Sequence, residues 1–149
     1  MEIERKFLVD ALPFDLSEYN KSEIIQSYIS FSPTIRLRGA NGSFFLTCKG
    51  EGTLSREEFE IQITETQYNH LMTKIDGQTI YKTRYYIPLQ DNYTAELDIY
   101  HNERLNGLIT VEVEFKTLDD AKNFAPPQWF SKDVTENSGY SNSSLAQIL

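Results

Sequence analysis

The chain has a single cysteine, Cys48, so no intramolecular disulfide can form, and the expectation is a reducing setting, the cytoplasm by default. It lacks any apolar run long enough to cross a bilayer, and the first residues, Met-Glu-Ile-Glu-Arg-Lys, lack the apolar stretch of a secretory leader. No internal repeat and no stretch rich in Gly, Pro or Ser divides the sequence, so one domain is expected over residues 1–149. That length is enough to bury a core without disulfides or a structural metal. Bases are also short: 14 Lys and Arg stand against 22 Asp and Glu, a formal net charge of −8. Taken alone, this argues against a polyanionic ligand. The two histidines, His70 and His101, have no second His or Cys at metal-ligand spacing and read as surface or packing residues.

What the sequence does have is period-two alternation, the mark of strands. Eight are expected: Glu2–Val9, Ile24–Phe31, Thr34–Arg38, Ser43–Lys49, Ser55–Ile63, Thr79–Ile87, Thr94–Tyr100 and Ile109–Lys116. Asn41-Gly42 and Asn106-Gly107 supply residues tolerant of positive φ where hairpins need them. A helix is expected over Thr64–Ile75, because Thr64 and Gln67 have capping-box spacing and Tyr68, Leu71, Met72 and Ile75 share one helical face. Shorter helices are expected after Thr117, near Leu12–Tyr19 and at Ser144–Ile148.

Side chains at i and i+2 of a strand share a face about 7 Å apart. Glu2, Glu4 and Lys6 therefore lie opposite Ile3, Arg5, Phe7 and Val9. The same sorting groups Gln26, Tyr28 and Ser30; Arg36 and Arg38; Thr47 and Lys49; Arg56, Glu58 and Glu60; Lys82 and Arg84; Glu96 and Asp98; and Glu112, Glu114 and Lys116. A sheet with one solvated face also alternates in this way. Paired charges of both signs on nearly every strand fit better a sheet closed into a barrel, charged face inward and apolar face covered by helices. Such a lumen is a costly place for charge unless it binds something charged. Its bases are phosphate-type donors, and its all-oxygen acids suit Mg²⁺ or Mn²⁺, so a metal with a polyphosphate answers both signs.

These residues resemble a known family. Glu2-Ile-Glu4-Arg-Lys6 is similar to the E-x-E-x-K signature of the CYTH superfamily, the triphosphate tunnel metalloenzymes. The likeness continues through Arg36-Leu-Arg38, Lys49, Arg56-Glu-Glu58-Phe-Glu60, Lys82-Thr-Arg84, Glu96-Leu-Asp98 and Glu112-Val-Glu114-Phe. It ends in Pro127-Gln-Trp129-Phe130, Asp133-Val-Thr135 and Tyr140-Ser-Asn142, similar to the closing segment of small bacterial members. Ser131-Lys132-Asp133 departs from the Gly and Glu expected there. The resemblance implies a mainly β protein with a few helices: an eight-stranded antiparallel tunnel that binds a small triphosphate with Mg²⁺ or Mn²⁺. By matching position it implies Glu2, Glu4, Glu112 and Glu114 as metal ligands, with Glu60 and Asp98 as additional or water-mediated ones. It implies Lys6, Arg36, Arg38, Lys49, Lys82 and Arg84 as a phosphate clamp, which Arg56 either joins or leaves to pair with Glu58 and Glu60. Lys6 and Tyr28 match a Lys–Tyr pair that takes part in hydrolysis in some members.

The expected activity is metal-dependent hydrolysis of inorganic triphosphate or a small organic triphosphate, with Lys6 lowering the proton affinity of Tyr28 so that it takes or orients a water proton. Two other readings stand beside it: a class IV-type adenylyl cyclase, and a non-catalytic polyphosphate- or nucleotide-binding tunnel. Seven of the 14 bases and eight of the 22 acids are assigned to the lumen, so most of the net −8 belongs to the outer surface. That disfavours nucleic-acid backbones there, and no membrane partner is expected. The oligomeric state is not legible, a dimer being the option kept open. Trp129 is expected to anchor the closing segment, Arg5 to form an outer ion pair, and Cys48 to face away from the lumen.

Overall fold

A computed structural model describes residues 1–148. The alternating segments form β1 (Glu2–Leu8), β2 (Asn20–Phe31), β3 (Thr34–Ala40), β4 (Ser43–Lys49), β5 (Ser55–Arg56), β6 (Glu58–Ile63), β7 (Asp76–Pro88), β8 (Thr94–Tyr100) and β9 (Ile109–Glu114). Three helices join them: α1 (Glu65–Met72), α2 (Leu118–Asn123) and α3 (Asn142–Ile148). The strands make one sheet of order β5-β1-β9-β8-β7-β2-β3-β4-β6, antiparallel throughout.

Nine strands stand where eight were expected because the Ser55–Ile63 segment is split at Glu57. Ser55 and Arg56 pair with β1, whereas Glu58–Ile63 pair with β4. One residue leaves the ladder as the chain crosses from one sheet edge to the other. The segment therefore bonds both ends of the sheet and makes a nearly closed barrel, which removes the exposed edges an open sheet would carry.

Local chemistry explains most of the ends. Asn41 and Gly42 take φ of 51° and 81°, as a tight hairpin between β3 and β4 requires. At the other Asn-Gly, only Gly107 is left-handed, at φ 87°, while Asn106 stays at −58° after a 3₁₀ turn over Glu103–Leu105. Thr64 caps α1 through both bonds of a capping box, Gln67 N to Thr64 Oγ1 at 3.1 Å and Thr64 N to Gln67 Oε1 at 2.9 Å. Thr117 caps α2 by accepting from Asp120 N at 3.0 Å. The helix expected near Leu12–Tyr19 does not form: the segment is a run of turns and bends. Leu12, Leu16 and Tyr19 have helical spacing, but with Phe14 they instead lie as a strap on the core.

The core lies outside the barrel wall. Ala95, Leu97, Val111 and Val113 are fully buried with Phe7, Phe115 and Phe130, under α2, the closing chain and the 12–19 strap. Each such large side chain contributes about 1.5–3 kcal/mol by leaving water. A second cluster, Tyr28, Ile80, Tyr100, Leu105, Leu145 and Ala146, seats α3 across one end of the barrel. Gly77 (φ 67°) permits this seat, since a Cβ there would sit 2.8 Å from Phe31 Cζ and 3.0 Å from the Ala146 carbonyl oxygen. The helix cover is less complete than expected. On β6, Phe59 and Ile61 face outward and are 63% and 41% exposed, and Cys48 stands opposite Phe59, away from the lumen as read.

Candidate functional site in the barrel lumen

The inward faces enclose a cavity of about 560 Å³. Of the expected site residues, Glu2, Glu4, Lys6, Tyr28, Arg36, Arg38, Lys49, Arg56, Glu60, Arg84, Glu112 and Glu114 border it. Lys82 and Asp98 do not: their side chains are 0% exposed and lie within the wall, 2.8 Å apart. Asp98 also accepts from Arg84 Nε at 2.8 Å and Nη2 at 2.9 Å, and Arg84 Nη1 donates to Glu96 at 2.7 Å. Against the penalty of burial, Arg84 and Lys82 hold the Asp98 carboxyl down at about 2. Burial pulls the Lys82 ammonium to about 7, an effect Asp98 opposes. With its lone pairs engaged by two cations, Asp98 acts as a brace for Arg84.

At the other side of the cavity, Lys49 donates to both oxygens of Glu2, at 2.9 and 3.1 Å, and Arg56 Nε approaches the same carboxylate at 3.6 Å. Arg56 thus pairs with Glu2, a partner outside the two alternatives the sequence offered. Lys6 lies 3.5 Å from Glu112.

The acids are crowded. The register sets Glu4 directly across from Glu114 and Glu96 across from Glu112, two like-charge cross-strand pairs. Burial, then Glu112 and Glu2, raises the Glu4 carboxyl well above its ordinary range. Lys6 and Arg84, working against burial, hold Glu112 well below it. Burial, then Glu2 and Glu96, raises Glu114. Acids packed this closely form a donor set that fits a hard divalent cation, being carboxylate oxygen only. Among the described residues no three of them are drawn into a ligand cage.

The β2/β3 wall differs. Arg36 Nη2 donates to Thr47 Oγ1 at 3.3 Å and lies 4.0 Å from Glu60, while its Nε is buried without a partner. Arg38 donates from Nε and Nη2 to Gln26 Oε1, at 3.1 and 3.0 Å. Tyr28 is stacked on Phe31 at 5.6 Å and accepts from Gln26 Nε2 at 3.2 Å. Here an expectation is overturned. Burial raises the Tyr28 phenol, and the pull of Arg36, Arg38, Lys6 and Arg56 the other way does not overcome it. The lowered proton affinity expected of Tyr28 is therefore not found, and its phenol holds its proton more firmly than a free one.

A family model described as the CYTH domain matches residues 1–146. The chain belongs to the CYTH family. An inorganic triphosphatase of Nitrosomonas europaea is 43% identical over 149 residues, covering 97% of this chain and 96% of that protein. One from Acetivibrio thermocellus is 31% identical over 151 residues, covering 98% and 93%. A crystal structure of an inorganic triphosphatase superposes with a TM-score of 0.71 at 39% identity, covering 99% of this chain and 95% of that one. A Hippeastrum protein, a putative adenylyl cyclase with dominant triphosphatase activity, shares the fold alone, at TM-score 0.65, 14% identity and coverage of 82% and 83%.

The closing segment of this CYTH domain adds further lumen groups. Thr135, Asn137, Ser138, Asn142 and Gln147 border the cavity. The sequence motifs put Thr135 and Asn142 in the closing segment but gave none of the five a place in the lumen, and the available signal was a run of small polar residues, Asn137 to Ser144, broken by Gly139 and Tyr140. Asn142 Oδ1 accepts from Tyr100 Oη at 2.9 Å and faces Lys82 Nζ at 3.4 Å, which ties α3 to the wall. The departure at Ser131-Lys132-Asp133 does not undo the closure, because the backbone makes it: Leu8 N donates to the Lys132 carbonyl and Ser131 N to the Leu8 carbonyl, both at 2.8 Å. Arg5 forms the expected outer pair, with Asp133 at 3.0 Å. Trp129 packs edge-on against Phe14 and Phe130. His70 and His101 are exposed, outside the lumen.

Proposed function

We propose that this chain, acting as one domain, is a divalent-metal-dependent triphosphatase that hydrolyses inorganic triphosphate in its lumen. The observation that carries the reading is the β2/β3 wall, where Arg36 keeps a buried nitrogen without a partner and Arg38 is fixed by a neutral amide. Two guanidinium groups left short of acceptors inside a closed cavity call for an anion with several oxygens. The relatives named inorganic triphosphatase, at 43% and 31% identity, support the same substrate.

Glu2, Glu4, Glu60, Glu112 and Glu114 would hold Mg²⁺ or Mn²⁺, and the ion, when bound, supplies charge neutralisation and a more acidic water. Lys6, Arg36, Arg38, Lys49, Arg56 and Arg84 hold the phosphate chain and stabilise charge on the attacked phosphoryl and the leaving pyrophosphate. Asp98 and Lys82 act at one remove by holding Arg84 in place. Tyr28 donates a hydrogen bond to a phosphoryl oxygen. Of the groups that border the cavity, only Tyr28, Phe31 and Val134 carry large apolar surface, and Phe31 is stacked on Tyr28. Among the described residues the lumen lining offers no aromatic slot for a nucleobase, which favours the inorganic ion over ATP or GTP and hydrolysis over cyclisation.

A substrate panel in Mg²⁺ and in Mn²⁺ with product identification tests this. Orthophosphate and pyrophosphate from inorganic triphosphate support it. Pyrophosphate with a cyclic nucleotide from ATP would establish a cyclase instead, and tight binding without turnover a non-catalytic tunnel.

A further inference from the structure

Arg38 is held unlike any other base facing the lumen. Lys6 has Glu112 at 3.5 Å, Arg36 has Glu60 at 4.0 Å, Lys49 and Arg56 have Glu2 at 2.9 and 3.6 Å, and Arg84 has Glu96 at 2.7 Å. Arg38 is the lumen base that has no carboxylate within 4.0 Å among the described residues. What holds its fork is Gln26 Oε1, with bonds of 3.1 and 3.0 Å. Gln26 stands directly across from Arg38 in the β2–β3 ladder, and its side chain is wholly buried.

These contacts fix the amide in one orientation. Turned over, Gln26 would set its NH₂ against the donors of Arg38 and lose both bonds. With Oε1 committed, Nε2 is the atom that meets Tyr28, and it donates to the phenolic oxygen at 3.2 Å. The oxygen is thereby an acceptor on that side, and its own hydrogen turns away from Gln26. Tyr28 shares the inward face of β2 with Gln26 and lies across from Arg36, so one amide sets the direction of two donors at the cavity. A carboxylate at position 26 would hold Arg38 as firmly but cancel its charge; the amide orients the guanidinium without neutralising it.

We propose that Gln26 is a positioning residue, a neutral splint that aims the Arg38 fork and the Tyr28 hydroxyl at the same phosphate chain while leaving the Arg38 charge intact. This deepens the triphosphate reading and rests on it. The series of charged motifs gives position 26 no part.

The test is steady-state kinetics on inorganic triphosphate with Gln26→Glu and Gln26→Met, each repeated in an Arg38→Ala background. Gln26→Glu keeps shape and the bonds from Arg38 but neutralises Arg38 and, having no N–H, turns the Tyr28 hydrogen toward itself, so KM is expected to rise about tenfold or more and kcat to fall with it. Gln26→Met keeps bulk and frees both donors, so kcat is expected to fall on the order of 10- to 100-fold. With Arg38 removed, the Gln26→Met effect on kcat should shrink to about threefold, because only the Tyr28 hydroxyl is left to aim. The proposal is overturned if folded Gln26→Glu, with a wild-type melting temperature, keeps KM within about twofold of wild type. It is equally overturned if the Gln26→Met loss of kcat is as large without Arg38 as with it. Should Gln26→Met fail to fold, the isosteric Gln26→Glu arm decides. If wild type binds triphosphate but does not cleave it, the functional reading fails by itself and calorimetric Kd replaces KM in the same cycle. A wild type that neither binds nor cleaves overturns both.

Discussion

On the β7/β8 wall Arg84 is gripped by Asp98 and Glu96, and Lys82 by Asp98; on the β2/β3 wall Arg36 and Arg38 lean on a threonine hydroxyl and a glutamine amide. Both walls carry basic residues at i and i+2 of a strand, Lys82 and Arg84 or Arg36 and Arg38. The difference lies across the ladder. Asp98 stands opposite Arg84, whereas Gln26 stands opposite Arg38 and Tyr28 opposite Arg36. A base with a buried acid beside it is satisfied by the fold itself and adds shape. A base with only neutral acceptors keeps its charge for a ligand. The first wall gives the lumen its form, and the second gives it its appetite for phosphate.

The contrast can be broken in several ways. The largest effect belongs to the acids that neither wall neutralises: Glu4→Ala or Glu114→Ala should cut metal-dependent turnover by roughly 10³-fold, read as orthophosphate release, and near-wild-type rates would remove these acids from the site. Next comes Asp98→Ala, which leaves Arg84 and Lys82 without their shared anion and should cost about 3–5 kcal/mol in urea unfolding. Arg38→Ala should behave oppositely. It strands the neutral Gln26 oxygen instead of a carboxylate, so unfolding should move by about 1–3 kcal/mol, less than for Asp98→Ala, while KM rises about 10- to 100-fold. A large loss of stability with unchanged KM would mean that the two walls had been assigned the wrong way round.

A pH experiment sharpens the same point. Burial, with Glu112 and Glu2 nearby, raises Glu4, so the folded state holds a proton that the unfolded state has already released. The stability that this proton brings is present below the unfolded pKa and is lost as pH climbs through the raised one. The metal-free protein should therefore melt lower as pH goes from about 5 to about 7, below the range where Lys82 acts the other way, and Mn²⁺ should restore the loss at the upper end. A melting temperature that rises over this window without metal would contradict the crowding of the acids. The smallest effect is expected from Lys82→Met. Lying within the wall, Lys82 should change KM for triphosphate by no more than about threefold.

Alternation made much of this legible. Because a strand turns successive side chains to opposite faces, the inward groups could be sorted residue by residue, and Glu2, Lys6, Arg36 and Lys49 border the cavity as sorted. A face is not a depth, however. Nothing in Lys82-Thr-Arg84 or Glu96-Leu-Asp98 says that the register buries Lys82 and Asp98 against each other, since that follows from the pairing of β7 with β8. The same gap misdirected the reading of Tyr28: its basic neighbours were legible and its burial, which outweighs them, was not. The Leu12–Tyr19 segment missed its expected helix because docking on the barrel, and not local periodicity, shapes it. The closing chain tolerates an unexpected Ser131-Lys132 because its backbone makes the contact with β1.

The central claim is that the open wall holds a triphosphate chain for hydrolysis. Its most direct test is product analysis for the wild-type protein given inorganic triphosphate with Mg²⁺ or Mn²⁺. The account predicts orthophosphate and pyrophosphate in equal amounts, with metal removal abolishing both. Unchanged triphosphate in either metal, at protein concentrations where calorimetry detects binding, would contradict it.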